Sequence, residues 1–104
     1  MRGRDLLRQM SRRSKADKLD ARLRAFYRAR RTAVPKQGWL REIRKVTGRR
    51  AIEIAQAMET SEKTVYQLER SEVKGTISLK MLQKAAEGMR CDVVYAVVPW
   101  KRTE

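Results

Sequence analysis

The chain has 104 residues, of which 26 are lysine or arginine and 12 are acidic, so its formal net charge is +14. This length suits one domain with an additional arm. A surface this basic attracts polyanions, nucleic acid before anionic membrane. Histidine is absent, which removes the usual general base and the commonest metal ligand. The single cysteine, Cys91, excludes an internal disulfide and a cysteine-cluster metal site. We therefore expect neither enzymatic activity nor a metal or cofactor.

The N-terminal sequence does not have the pattern of a signal peptide. Leu6 and Leu7 are flanked by arginines, and no apolar run follows them. No stretch of the chain approaches the length of a membrane-spanning helix. We therefore expect a soluble protein of the cytoplasm, associated with the nucleoid.

Residues 1–37 form a basic arm, because they hold half of the chain's basic residues but only a quarter of its acids. We expect the first dozen residues to fray or to become ordered only on a partner. Ser14 can cap a helix that begins there, with an apolar stripe of Leu19, Leu23, Phe26 and Tyr27. This helix could dock on the rest of the chain, pair with its copy in a dimer, or bind a separate protein. A membrane surface is the least favoured alternative.

Two short helical patterns lie at the centre of the chain, from Arg50 to Met58 and from Glu62 to Ser71. Only Glu59, Thr60 and Ser61 separate them. Small Ala55 suits a close helix crossing, and the apolar faces contain Ile54, Met58, Val65 and Leu68. Two short helices joined by a tight turn form the helix-turn-helix unit, whose second helix can lie in the DNA major groove. The alternative is a plain helical hairpin, but the net charge favours the DNA-binding unit.

Further helices are predicted on either side of this unit, which gives a helix-turn-helix domain at residues 38–90. A helix from Gly38 to Thr47 should end with Gly48 as a left-handed C-cap. Its inward face would contain Trp39, Leu40, Ile43 and Val46, with Arg41, Arg44 and Lys45 outward. A loop should run from Val73 to Ile77, and Ser78 can cap a last helix. The inward residues of that helix would be Leu79, Leu82, Ala85, Ala86 and Met89.

The C-terminal segment, residues 91–104, differs in character. From Cys91 to Val98 it is rich in β-branched and aromatic residues and it stops at Pro99, which predicts a β-strand and a tail. A single strand leaves its backbone groups unpaired, so it needs a second strand. A second copy across a two-fold axis is the simplest supplier, a toxin-like partner is the alternative, and cover by the chain's own helices is the third. The dimer interface would contain Val93, Val94, Tyr95, Val97 and Val98.

The exposed face of the second central helix provides the candidate base contacts. Glu62 can accept from a cytosine amino group, Lys63 can donate to guanine or phosphate, and Gln67 can pair with adenine. Tyr66 could contact a thymine methyl group or a phosphate.

Another set of residues is predicted to contact phosphate and to give affinity and register. This set contains Arg49, Arg50, Ser61, Thr64 and Lys74. Ser61 should also cap the second helix. Glu69 is interpreted as structural, paired with Arg70 or with neighbours of Arg50.

Residues Gly38 to Glu72 resemble the phage-repressor-like (XRE/Cro-type) helix-turn-helix domain. The signature positions are Ile54, Ala55, Met58, Ser61, Thr64, Val65, Leu68 and Glu69. A closer resemblance, to the regulators called mobile mystery protein A, covers most of the chain. It is carried by KLDARLRAF from Lys18, GWLREIRKVTG from Gly38, SEVKGTISLKMLQKAAEGM from Ser71 and CDVVYAVVP from Cys91. This resemblance implies a DNA-binding autoregulator that acts beside a Fic-domain protein, in an arrangement similar to toxin and antitoxin.

The chain departs from the repressor pattern at three places. Arg50 and Ala51 stand where such domains have a capping Ser or Thr followed by Gln, so arginine must supply the phosphate contact there. Glu59 replaces the turn glycine, and a left-handed conformation at this residue would cost roughly 1 kcal/mol or more. Thr60 replaces the usual apolar turn residue.

The predicted fold class is mainly α. It is a repressor-like helix-turn-helix bundle with a basic N-terminal amphipathic helix and one C-terminal strand paired across a dimer. The predicted function is that of a sequence-specific double-stranded DNA-binding regulator, a repressor or autoregulator similar to an antitoxin. Two alternatives stay open: an interaction module that masks a partner such as a Fic-domain protein, and a charge-driven, non-specific nucleic-acid binder.

Overall fold

The computed structural model describes residues 2–101, and these residues are mainly helical, as predicted. In this range the helices are α1 (Arg2–Ala29), α2 (Trp39–Val46), α3 (Ala51–Ala57), α4 (Glu62–Lys74) and α5 (Leu79–Gly88). None of them is both long enough and apolar enough to cross a membrane. Two compact units are present. One is Val34–Val94, and the other combines the chain up to Ala33 with the segment from Tyr95 onward.

The core of the Val34–Val94 unit is built by α2 to α5. Its buried members are Leu40, Ala51, Ile54, Ala55, Val65, Ala85 and Met89. Ala55 has no exposed surface, which fits the small residue predicted for a close helix crossing. Three side chains that were expected to face inward are more exposed than predicted: Trp39 (43%), Val46 (77%) and Leu79 (39%). These helices are short, so residues near their ends lie beyond the edge of the core.

The predicted caps of α2, α4 and α5 are present. Gly48 has φ +70°, and the N–H of Arg49 donates to Arg44 O at 3.0 Å, which closes α2 as a left-handed C-cap. Ser61 Oγ accepts from the N–H of Thr64 at 3.2 Å, and Ser78 Oγ accepts from that of Met81 at 3.1 Å.

Helix α4 is longer than predicted. It was expected to end at Ser71 before a loop from Val73, but it continues to Lys74 and ends at Gly75, whose φ is +77°. Glu72, Val73 and Lys74 contain no helix breaker, so the helix continues until a glycine permits the left-handed turn. Lys74 therefore lies in the last turn of α4 and not in a loop.

In the other unit, α1 is one continuous helix, and the prediction that it begins at Ser14 is wrong. Its N-terminal half is rich in leucine and arginine, which are strong helix formers, and no proline interrupts it. Leu23 is buried, whereas Leu19 is 43% exposed. Arg30 Nη1 donates to Pro99 O at 3.0 Å, which joins the end of α1 to the C-terminal segment.

The predicted C-terminal strand is not present in residues 2–101, where 91–99 have no regular secondary structure. A strand needs a neighbour to pair its backbone groups, and no other segment of the described range supplies one. Of the residues predicted for a dimer interface, Val94 (74%), Tyr95 (63%) and Val97 (89%) are exposed, while Val93 and Val98 are half-buried.

Candidate nucleic-acid interface

Helices α3 and α4 are joined by a tight turn. The N–H of Thr60 donates to Ala55 O at 2.9 Å, which closes the end of α3. Glu59 has φ +57°, so the left-handed conformation that this position requires is adopted by a non-glycine residue. At the other end of α3, the N-cap residue Arg50 makes no side-chain capping hydrogen bond, as its replacement of Ser or Thr predicts.

The first two turns of α4 have one exposed and one buried face. Glu62, Lys63, Tyr66 and Gln67 are all exposed, as predicted. Val65 is 4% exposed and belongs to the core. The four polar side chains therefore form one accessible face at the N-terminal end of α4, which we call the recognition face.

Two contacts orient Tyr66 on the recognition face. Its hydroxyl donates to Glu62 Oε1 at 3.3 Å. The guanidinium carbon of Arg44 lies 5.6 Å from the centroid of the Tyr66 ring, within the range of a cation–π interaction. Both contacts favour this orientation of the ring.

Arg44 also forms a nearly buried ion pair with Glu69. Its Nε donates to Glu69 Oε2 at 2.6 Å and its Nη2 donates to Oε1 at 3.0 Å. The hydrogen bond to Glu69 raises the pKa of Arg44 above its usual value. The prediction that Arg44 points outward is wrong, and so is the predicted partner of Glu69, although its structural role is confirmed. This bidentate pair fixes α4 against α2.

A second carboxylate of α4 caps α2. Glu72 accepts from the N–H of Trp39 at 2.7 Å through Oε2 and from that of Leu40 at 2.9 Å through Oε1. The N-cap residue of α2 is Gly38, which has no side chain to do this. A Cβ atom at Gly38 would lie 2.9 Å from Glu72 Oε1, and its φ of +83° also favours glycine.

The predicted phosphate-binding residues differ in how free they are. Arg50 Nε lies 2.9 Å from Glu53 Oε1, and this contact lowers the pKa of Glu53. The charge of Arg50 is therefore already paired with a carboxylate. Arg49 is half-buried, and Lys74 is exposed.

The two predicted phosphate-binding hydroxyl groups, those of Ser61 and Thr64, form a hydrogen bond with each other. Ser61 Oγ and Thr64 Oγ1 lie 2.9 Å apart at the start of α4, and Thr64 is half-buried. Ser61 is exposed, so its hydroxyl combines a capping role with access to solvent.

A cleft of about 440 Å³ adjoins the recognition face and is the feature that the sequence interpretation missed. Tyr66 lines it together with Arg41, Arg70 and Lys74. The spacing of Tyr66, Arg70, Val73 and Lys74 (i, i+4, i+7 and i+8) could have indicated it, because these residues share one face of a continuous helix. Likewise, Val65, Glu69 and Glu72 share the opposite face, so both acids could have been assigned to the core side.

No protein-family model, curated protein or solved structure matches this chain. The candidate function therefore depends on the residues and their geometry.

Proposed function

We propose that this protein is a sequence-specific double-stranded DNA-binding transcription regulator, and that α3 and α4 are its helix-turn-helix. One observation carries the proposal: the N-terminal half of α4 presents four hydrogen-bonding side chains to solvent, while its opposite face is fixed to the core. In helix-turn-helix proteins the N-terminal residues of the second helix contact base edges. The net charge of +14 supplies the attraction to the DNA backbone.

The recognition face has the chemistry to distinguish base pairs. In the major groove, Gln67 can form paired bonds with adenine, Lys63 can donate to guanine and Glu62 can accept from cytosine. The Arg44–Glu69 pair and the Glu72 cap hold α4 rigidly, which reduces the entropy lost when these side chains bind. A rigid, polar face of this kind supports selective readout better than charge alone does.

We also propose that the regulator is a homodimer joined through residues 91–98. Val94, Tyr95 and Val97 are exposed apolar side chains on a segment whose sequence suits a strand. A second copy would pair the free backbone and cover these side chains. Such a two-fold dimer would bind half-sites about 34 Å apart. We expect aspartate at both Val94 and Val97 to halve the mass measured by sedimentation, and an unchanged mass would refute this pairing.

The experiment that tests the proposed function is selection of binding sites from a random duplex library at physiological salt. Enrichment of a palindrome with two half-sites would support a dimeric, sequence-specific regulator, and the spacing would give the dimer geometry. Tight binding at low salt without enrichment would refute sequence-specific regulation and leave a charge-driven binder.

A second candidate function, a protein-interaction role, is favoured by α1. Leu6 (58%), Leu7 (65%) and Met10 (57%) are exposed on this basic helix, which could lie in the groove of a partner. The resemblance to mobile mystery protein A suggests a Fic-domain protein as that partner, in an antitoxin-like arrangement. We expect deletion of residues 1–34 to abolish binding to such a protein, measured by calorimetry, and retained binding would refute this role for α1.

A further inference from the structure

The cleft beside the recognition face lies within the Val34–Val94 unit. It is formed by α2, by the residues that precede α2, and by α4 from Tyr66 to Lys74. Its volume of about 440 Å³ falls in the range of sites that hold a small ligand or a fragment of a larger one. The features that decide its chemistry are four cations, Lys36, Arg41, Arg70 and Lys74, and two apolar surfaces, Tyr66 and Val73.

The positive charge of this cleft is not compensated by the protein. In residues 2–101, none of the four cations has a nitrogen within 4.0 Å of a carboxylate oxygen. Glu69 also lines the cleft, but both of its oxygens are bonded to Arg44. The cleft therefore gathers four cations without a carboxylate partner among the described residues, whereas Arg50 at the start of α3 forms an exposed ion pair with Glu53.

The apolar surfaces narrow the choice of anion. Tyr66 is 40% exposed and Val73 is 56% exposed, so each offers carbon surface beside the cations. A lone inorganic phosphate would leave this surface bare. A phosphate joined to a sugar would place its charge near the cations and its ring carbons against Tyr66 and Val73.

The register of α4 links the cleft to the recognition face. Lys63, Gln67, Arg70 and Lys74 are spaced i, i+4, i+7 and i+11, so they form one stripe. From Lys63 to Lys74 this stripe extends roughly 17 Å along the helix axis, whereas the major groove is only about 12 Å wide. When Lys63 and Gln67 contact base edges and α4 enters the groove by its N-terminal end, the far end of the stripe lies outside the groove, near the sugar–phosphate backbone.

We propose that this cleft binds a sugar–phosphate segment of one DNA strand, with Arg41 and Arg70 as its principal phosphate ligands and Lys36 and Lys74 at its rim. Guanidinium groups suit the role because they can bind phosphate in a bidentate manner. The inference rests on the proposed function and deepens it, since it moves the main backbone contact from the start of α3 to the cleft between α2 and α4.

The test compares two charge-matched pairs of substitutions in the full chain. Lys36→Gln with Lys74→Gln removes two lysines from the cleft, and Lys80→Gln with Lys84→Gln removes two exposed lysines from α5, outside the cleft. Affinity for a selected duplex and for a scrambled duplex is measured by fluorescence anisotropy across a salt series. Each lost phosphate contact reduces the slope of log K against log salt by about 0.9, so the cleft pair should reduce it by roughly 1.8.

The expected result is a reduced slope for the cleft pair, equal on both duplexes, and an unchanged slope for the control pair. Arg41→Gln with Arg70→Gln should reduce the slope at least as much as the cleft lysines do, and circular dichroism melting should show that all variants stay folded. Equal losses for the cleft and control pairs would overturn the proposal, because they would indicate diffuse charge. One further result would overturn the proposal: inorganic phosphate saturates the cleft, detected as NMR chemical-shift changes of backbone amides, while the cleft substitutions leave the affinity for DNA unchanged.

The experiment distinguishes failure of the cleft proposal from failure of the proposed function. If the wild-type protein prefers one duplex and the cleft variants bind as tightly as wild type, only the cleft proposal is overturned. A wild-type protein with no preference, whose slope still falls only in the cleft variants, would refute the proposed function and support the cleft as a backbone site.

Discussion

The two faces of α4 use their charged and polar side chains in opposite ways. On the face toward α2, Glu69 and Glu72 are bonded to Arg44 and to the first N–H groups of α2. On the other face, Lys63 and Gln67 are exposed and make no side-chain hydrogen bond to the described part of the chain. Charge by itself therefore does not mark a binding residue. The acids position the helix, and the exposed polar side chains are free to bind a ligand.

The largest effect is expected from breaking the ion pair on the inward face. Glu69→Ala leaves the guanidinium of Arg44 nearly buried without a partner, so the free energy of unfolding should fall by about 3 to 5 kcal/mol. Urea denaturation followed by circular dichroism measures this change. A loss below about 1 kcal/mol would show that the pair behaves like an exposed one.

The matched control removes both charges. Arg44→Met combined with Glu69→Leu replaces the pair by apolar groups and should restore most of the stability lost in Glu69→Ala. Because the Arg44 contact with Tyr66 is then absent, this variant also tests whether the recognition face needs that contact. We expect the double variant to be stable and to bind DNA less selectively than wild type.

Substitutions on the recognition face should have the opposite effect: they should change the selectivity for DNA without changing the stability of the protein. Gln67→Ala should reduce the preference for the selected duplex by about 1 to 3 kcal/mol, the size of one good base contact. Lys63→Ala should do the same. Because both residues are exposed, the free energy of unfolding should stay within about 0.5 kcal/mol of wild type. An equal loss of affinity for a scrambled duplex would contradict the assignment of this face to base readout.

The sequence predicts the features of this unit that depend on local pattern. Apolar spacing locates α2 to α5, and hydroxyl or glycine residues mark their ends at Gly48, Ser61 and Ser78. The exposed positions Glu62 to Gln67 follow from the same spacing. These predictions succeed because each depends on residues within one or two helical turns.

Side-chain contacts between residues far apart in the sequence could not be predicted from local patterns. Arg44 meets Glu69 and Glu72 meets Trp39 only because α2 and α4 pack together, and no local pattern contains both partners. The predicted C-terminal strand is absent from the described residues of the single chain for a related reason. Residues 91–98 have the composition of a strand, but a strand also requires a neighbour. The extent of α1 was underestimated because Ser14 was interpreted as a cap, whereas it lies inside a helix.

The cap that Glu72 supplies should have an intermediate effect. Glu72→Ala leaves the N–H groups of Trp39 and Leu40 without this carboxylate, and loss of a helix cap costs about 1 kcal/mol, with a range of 0.5 to 2. Thermal unfolding should detect it. If Glu72→Ala does not lower the melting temperature, the cap does not contribute to stability.

The smallest effect is expected at Glu59, in the turn between the two helices. Its left-handed φ of +57° costs a non-glycine residue roughly 1 to 2 kcal/mol, and Glu59→Gly removes this strain. Glycine also loses more conformational entropy on folding, by about 0.4 to 1 kcal/mol, so the net gain should be about 0.8 kcal/mol. Glu59→Ala keeps the strain and should give no gain. Destabilisation by Glu59→Gly in urea denaturation would show that the turn does not need a left-handed residue at this position.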